Sequence, residues 1–261
     1  MNDDGYQTED KPLIPAGDEA QPTAVIQPGK WIDLAAYMVV GIGLFLIGSL
    51  VVGQLVQGNG LLASAALYGT NILVFGGTVL VVGVLRRRLS LAEIGFWPPR
   101  LPGRWISLAA ALALFFMPIR AGLALLAEWI VKGNLAGLNQ SPRMDIFAPA
   151  GFSWVNFLAT LLLAGILVPI AEELFFRGAL YTWLRSRMAP WVAMLLSAGL
   201  FGLGHADTFA VVISSFVLGI INAWLFERSR TLWAPITVHI VNNSLAVIAL
   251  YAALLTGNLA P

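Results

Sequence analysis

The 261-residue chain is 58% hydrophobic and 11% charged, with a mean hydropathy of +0.80. Soluble globular domains run at about 25% charged residues, so this is an integral membrane protein. A formal net charge of +1 gives no bulk attraction for nucleic acid, and the absence of cysteine excludes disulfides and thiol nucleophiles.

Residues 1–30 combine Asp3, Asp4, Glu9, Asp10, Asp18 and Glu19 with Pro12, Pro15, Pro22 and Pro28. This composition predicts a disordered acidic tail. It has neither the basic n-region nor the small-residue cleavage site of a signal peptide.

From Leu34 to Leu85 no residue is charged. That length exceeds the ~20 residues of one crossing. The polar, glycine-rich stretch Gly53–Gly60 divides it into span one, 32–55, and span two, 62–85. Arg86, Arg87 and Arg88 close span two. Ser90-Leu91-Ala92-Glu93 then has capping-box spacing ahead of Gly95-Phe96-Trp97-Pro98-Pro99. These features predict a short interfacial helix near 90–97, with Trp97 and Trp105 at headgroup depth. Span three, 105–131, carries Arg120 and Glu128, eight residues apart and so on one face, as a polar pair turned into the bundle.

Residues 132–152 read as a loop that could hold an eighth membrane element. Span four, 153–184, is unusually long and contains Pro169-Ile170-Ala171-Glu172-Glu173-Leu174-Phe175-Phe176-Arg177-Gly178. Span five, 188–206, ends at His205; span six covers 208–226; span seven, 232–255, carries His239 and Asn243. The expected fold is therefore an all-α polytopic membrane protein of about seven transmembrane helices. Its organisation is a tail (1–30), an N-terminal three-span region (31–131) and a four-helix core (153–256).

Lysine and arginine set the expected orientation. With the N-terminus inside, cytoplasmic segments hold Lys11, Lys30, Arg86, Arg87, Arg88, Arg100, Arg104, Arg185, Arg187, Arg228 and Arg230, and exterior segments hold Lys132 and Arg143. Eleven against two predicts a cytoplasmic N-terminus and an exterior C-terminus in a prokaryotic cell membrane.

The charges in span four are the residues that need explaining, since each costs roughly 2.5–3.5 kcal/mol at the centre of a membrane helix. Glu173 and Arg177 are i, i+4 with the acid N-terminal, the favourable order for an ion pair. Glu172, rotated by about 100°, has no equally good partner on its own helix and is expected to face a cavity. The alternative is a single structural network of all three. His205, in Phe201-Gly202-Leu203-Gly204-His205, and His239-x-x-x-Asn243 could each be packing residues bonded between helices. Gly202 and Gly204 allow close helix approach or a helix break. The histidines are the only two in the chain, and both share the apolar C-terminal half with the Glu pair. Tilt can bring all four polar groups to one depth.

Such a set supplies what hydrolysis needs. A buried carboxylate can take a proton from water, a histidine can share that task, and His and Asn side chains can donate to an oxyanion. There is no Cys and no His-Glu-x-x-His. One Glu and two His (Glu172, His205 and His239) could alternatively hold zinc or another divalent ion. No internal repeat relates 32–131 to 153–256, which counts against a proton-coupled transporter.

The blocks Glu172-Glu173-x-x-x-Arg177, Phe201-x-x-x-His205 and His239-x-x-x-Asn243 resemble, in order, the motifs of the CAAX protease and bacteriocin-processing (Abi) family of intramembrane proteases. Ser90–Phe96 is similar to a short element that precedes the core in bacterial members. The resemblance implies an intramembrane endopeptidase acting on a peptide or membrane-protein substrate in lipid. Glu172 and His205 would activate water, His239 and Asn243 would hold the oxyanion, and Glu173 and Arg177 would support them. The family is often labelled metalloprotease, while its eukaryotic members resemble metal-independent glutamate proteases; the reading preferred here requires no cofactor. Bacterial members are linked to bacteriocin immunity, peptide maturation and membrane-protein cleavage, so a non-catalytic immunity or scaffold role is the alternative.

Overall fold

The computed structural model describes residues 29–55, 60–97, 103–133, 152–206 and 208–256. Seven helices run through them: α1 (Trp31–Leu55), α2 (Gly60–Leu85), α3 (Gly103–Val131), α4 (Trp154–Arg185), α5 (Pro190–Leu203), α6 (Phe209–Ser229) and α7 (Trp233–Leu255). There is no strand among the described residues. The molecule is an all-α polytopic membrane protein. Most of the expected acidic tail, the Gly53–Gly60 turn beyond Leu55 and nearly all of 132–152 lie outside the described residues.

Two expectations need correction. Among the described residues six helices are long and apolar enough to cross a membrane, but α5 has 14 residues. Its rise of about 21 Å is less than the ~30 Å hydrocarbon core. The expected span 188–206 counted uncharged residues that the helix does not use. Ala189 is extended (φ −58°, ψ 147°) ahead of Pro190 in the first turn, and Gly204 caps the other end. The stretch near 90–97 is a run of turns rather than a helix. Within it Gly95 sits at φ +65°, where an added Cβ would also lie 2.7 Å from Thr231 Cα. The run docks on the start of α7. Leu232 N–H donates to the Ile94 carbonyl (3.0 Å), Thr231 Oγ1–H to that of Gly95 (3.0 Å) and Trp233 Nε1–H to that of Phe96 (2.8 Å).

Both halves of the chain share one core. Tyr37, Phe75 and Val82 from α1 and α2 are buried with Phe175, Phe201, Leu225 and Ile236 from the C-terminal helices. Phe75 stacks between Phe45 (5.0 Å) and Phe175 (4.7 Å). Close approach of α5 and α6 depends on missing side chains: a Cβ on Gly202 would lie 3.0 Å from the Val212 carbonyl, and one on Gly219 2.9 Å from Ala198. Outward positions such as Leu50, Leu73, Phe115, Val155 and Leu203 are more than half exposed, as a lipid-facing surface requires. Trp97 is exposed, whereas Trp105 is buried.

One end of the bundle gathers the basic residues. Asp33 pairs with Arg88 (3.4 Å), Trp183 Nε1–H donates to the Lys30 carbonyl (2.9 Å), and Arg187 lies over the Trp183 ring (4.1 Å). The start of α1 and the ends of α2 and α4 therefore lie together.

Candidate active site

The site begins with a helix that cannot complete its own hydrogen bonds. Pro169, in the middle of α4, has no N–H to return to the carbonyls one turn back. The preceding segment, Leu161–Leu167, and the following one, Leu174–Tyr181, wind as π-helix, a local widening common at functional sites. Two carbonyls of that preceding turn are bonded instead by α7. Asn243 Nδ2–H donates to the Ala164 carbonyl (3.2 Å) and Ser244 Oγ–H to that of Gly165 (3.3 Å). The irregularity of α4 is thus what anchors the polar stripe of α7 against it.

Glu172 and Glu173 leave the helix in different directions and acquire different surroundings. Glu173 is fully buried, and its Oε1 accepts from Arg177 Nη1 (3.1 Å), Asn222 Nδ2 (2.8 Å) and His239 Nδ1 (2.8 Å). The Glu173–Arg177 pair expected from the i, i+4 spacing is present. It also belongs to a larger network: Arg177 Nη2 donates to the Gly219 carbonyl (2.9 Å), and its guanidinium lies over the Phe201 ring (4.7 Å). Sequence spacing within α4 held no signal for Asn222 or for the bond to His239.

Glu172 is 4% exposed. Its Oε1 accepts from Asn71 Nδ2 (2.8 Å). Its Oε2 accepts no hydrogen bond from the protein and lies 3.6 Å from His239 Nε2 and 4.0 Å from His205 Nε2. Asn71, on α2, is a second residue that sequence reasoning missed. An Asn inside an apolar span was the available signal.

The backbone and Glu173 constrain both imidazoles. A carbonyl only accepts, so the contact of His205 Nδ1 with the Phe201 carbonyl (2.8 Å) places a proton on Nδ1. In the neutral ring Nε2 then carries the lone pair, 4.0 Å from Glu172 Oε2. His239 Nδ1 likewise donates to the Glu173 carboxylate, so its Nε2 can donate only when the ring carries both protons. Phe201 packs against both rings, at 4.6 Å from His205 and 5.5 Å from His239.

A cavity of about 250 Å³ opens beside these groups, lined by His205, His239, Asn242, Asn243 and Arg120 among others. That is far above the ~10–15 Å³ that holds one water. Glu172 is not part of its wall but stands behind the two histidines that are. Arg120, expected to face the bundle, does so from α3; the side chain of Glu128 lies outside the described residues. Helix length explains how groups at different apparent depths meet. The 32 residues of α4 rise about 48 Å at α-helical pitch, more than a ~30 Å core, so position along α4 does not by itself fix a residue's depth.

The metal alternative can be tested on the same atoms. A four-coordinate zinc keeps its ligand atoms about 3.4 Å apart, against 3.6 and 4.0 Å from Glu172 Oε2 to the two Nε2 atoms. No group of His, Cys, Asp or Glu side chains among the described residues is set to hold a metal ion. Glu172, His205 and His239 therefore stand slightly wider apart than a tetrahedral zinc site holds its donors.

Comparison with known proteins bears on the same segment. Residues 154–245 match the family model for type II CAAX prenyl endopeptidase, Rce1-like. The provisionally named membrane peptidase YdiL of Bacillus subtilis (strain 168) is 31% identical over 145 residues, covering 55% of this chain and 56% of that one. The chain thus spans little more than half the length of this relative. No solved structure matches. The matched segment carries Glu172, Glu173, Arg177, His205, His239 and Asn243 in the order of the motifs, and it is this C-terminal core that is similar to the type II CAAX prenyl endopeptidase, Rce1-like, family.

Proposed function

We propose that the protein is an intramembrane endopeptidase that hydrolyses a peptide bond of a membrane-associated protein or peptide. The observation that carries this reading is the disposition of Glu172 Oε2, bare of protein donors and close to the Nε2 atoms of His205 and His239, the two histidines that line the cavity. A water about 2.8 Å from Oε2 would share its protons between the carboxylate and the lone pair of His205. Its oxygen would then attack the scissile carbonyl. The Asn243 amide donates one hydrogen to the Ala164 carbonyl and keeps a second for the oxyanion. His239, held at Nδ1 by Glu173, joins it as a donor when its ring carries both protons. Protonated Glu172 would return the proton to the leaving amine. The residues required are all supplied by the chain.

The substrate is a peptide segment reached within the bilayer. The basic end of the bundle is placed at the cytoplasmic face by the positive-inside rule. Membrane proteomes of cells making the wild-type chain and Glu172→Ala provide the test. One or more membrane proteins or peptides accumulate uncut with Glu172→Ala; identical proteomes from equal amounts of membrane-inserted protein contradict the reading and favour the non-catalytic immunity or scaffold role.

A further inference from the structure

The family-matched segment, 154–245, does not contain the donor that holds Glu172. That donor is Asn71, 101 positions earlier in the chain, at 2.8 Å. On α2 a buried polar stripe recurs every seven residues, at Ser64, Asn71 and Thr78. Ser64 and Thr78 turn back to carbonyls of their own helix, those of Gly60 (2.8 Å) and Val74 (2.6 Å). Asn71 reaches across to α4 instead. Its Oδ1 accepts no hydrogen bond from the protein, so the donor end of the amide is the end in use.

One turn further along α2, and on the same face, Phe75 is stacked on Phe175 (4.7 Å) and meets Phe176 edge-on (5.5 Å). This aromatic cluster fixes α2 against the residues that follow Glu172. The arrangement has a geometric consequence. A carboxylate held at one oxygen can no longer rotate freely, and with Oε1 on Asn71 the other oxygen is left at 3.6 and 4.0 Å from the two imidazoles. An apolar side chain at 71 would pack against the carboxylate without directing it.

We propose that Asn71 is a positioning residue of the active site, through which the N-terminal three-span region completes a centre that the family-matched core does not build alone. The proposal rests on the reading of Glu172 as the group that activates water. It assigns Asn71 no contact with substrate: Asn71 acts through Glu172.

The test uses the full chain in lipid nanodiscs, with kcat and KM measured on one cleavable peptide and thermal unfolding measured alongside. Asn71→Leu removes the donor at similar size. Asn71→Asp keeps the shape, lacks the donor when ionised, and serves if the Leu variant does not fold. Both lower kcat about 10–100-fold, the usual effect of losing an outer-shell partner, with KM changed less than about twofold. In a Glu172→Gln background, by single turnover, the same substitutions produce no further loss, because residues acting as a unit are not additive. Wild-type kcat in a folded Asn71→Leu or Asn71→Asp protein overturns the proposal. So does an equal loss in both backgrounds, which marks a structural role. Full activity of Glu172→Gln alone contradicts the reading of Glu172 instead, so the two failures are distinguishable.

Discussion

Glu172 and Glu173 are neighbours in sequence, yet a rotation of about 100° sends one into a buried ion-pair network and the other toward the two histidines that line a cavity. For Glu173 the consequence is a buried ion pair whose loss leaves a charge without compensation. Arg177→Met is expected to destabilise the protein by about 3–5 kcal/mol, read as a large fall in unfolding temperature in detergent. Glu173→Gln keeps the shape but weakens the acceptor for His239 Nδ1. It is expected to lower kcat more than it raises KM, measured on the same peptide. Asn243→Ala removes one oxyanion donor and is expected to cost about 10²–10³ in kcat; an unchanged kcat in a folded variant argues against that role. At this scale the sequence was legible where partners lie one turn apart, as in Glu173–Arg177. Asn222, Asn71 and the Glu173–His239 bond join residues 49 to 101 positions apart, and no spacing rule reaches that far.

The helices were legible because charge-free runs end at basic clusters and glycine-rich turns. The α5 element shows where this fails: hydropathy counts uncharged residues, whereas helix ends are set by Pro190 and Gly204. The turns at 91–97 were read as a helix from capping-box spacing, but Gly95 at φ +65° stops that winding. Glycines in α5 and α6 lead to a prediction of their own. Gly219→Val would drive a side chain into Ala198, where even a Cβ lies at 2.9 Å. Overpacking of this kind costs roughly 1–3 kcal/mol. Because Arg177 bonds the Gly219 carbonyl, activity and unfolding temperature should fall together. Pro169 makes a second case. Its missing N–H, visible in the sequence, becomes meaningful only when α7 supplies Asn243 and Ser244 to the carbonyls of that turn.

At the scale of the whole molecule, the contacts of Lys30 with Trp183 and of Asp33 with Arg88 bring three chain segments to one end. The absence of cysteine makes the chain a clean background for topology mapping. A single cysteine at Arg87 or Arg187 is expected to react with an impermeant maleimide only after the cytoplasmic side is opened; labelling of intact cells reverses the orientation proposed here. The most direct test of the account as a whole concerns Glu172 itself. Purified full-length protein in nanodiscs is compared with Glu172→Gln, which keeps shape and burial but cannot take a proton, on one peptide at matched unfolding temperature. The account predicts that Glu172→Gln cleaves about 10²–10⁴-fold more slowly, the usual worth of a general base, and cleavage by Glu172→Gln at the wild-type rate would contradict it.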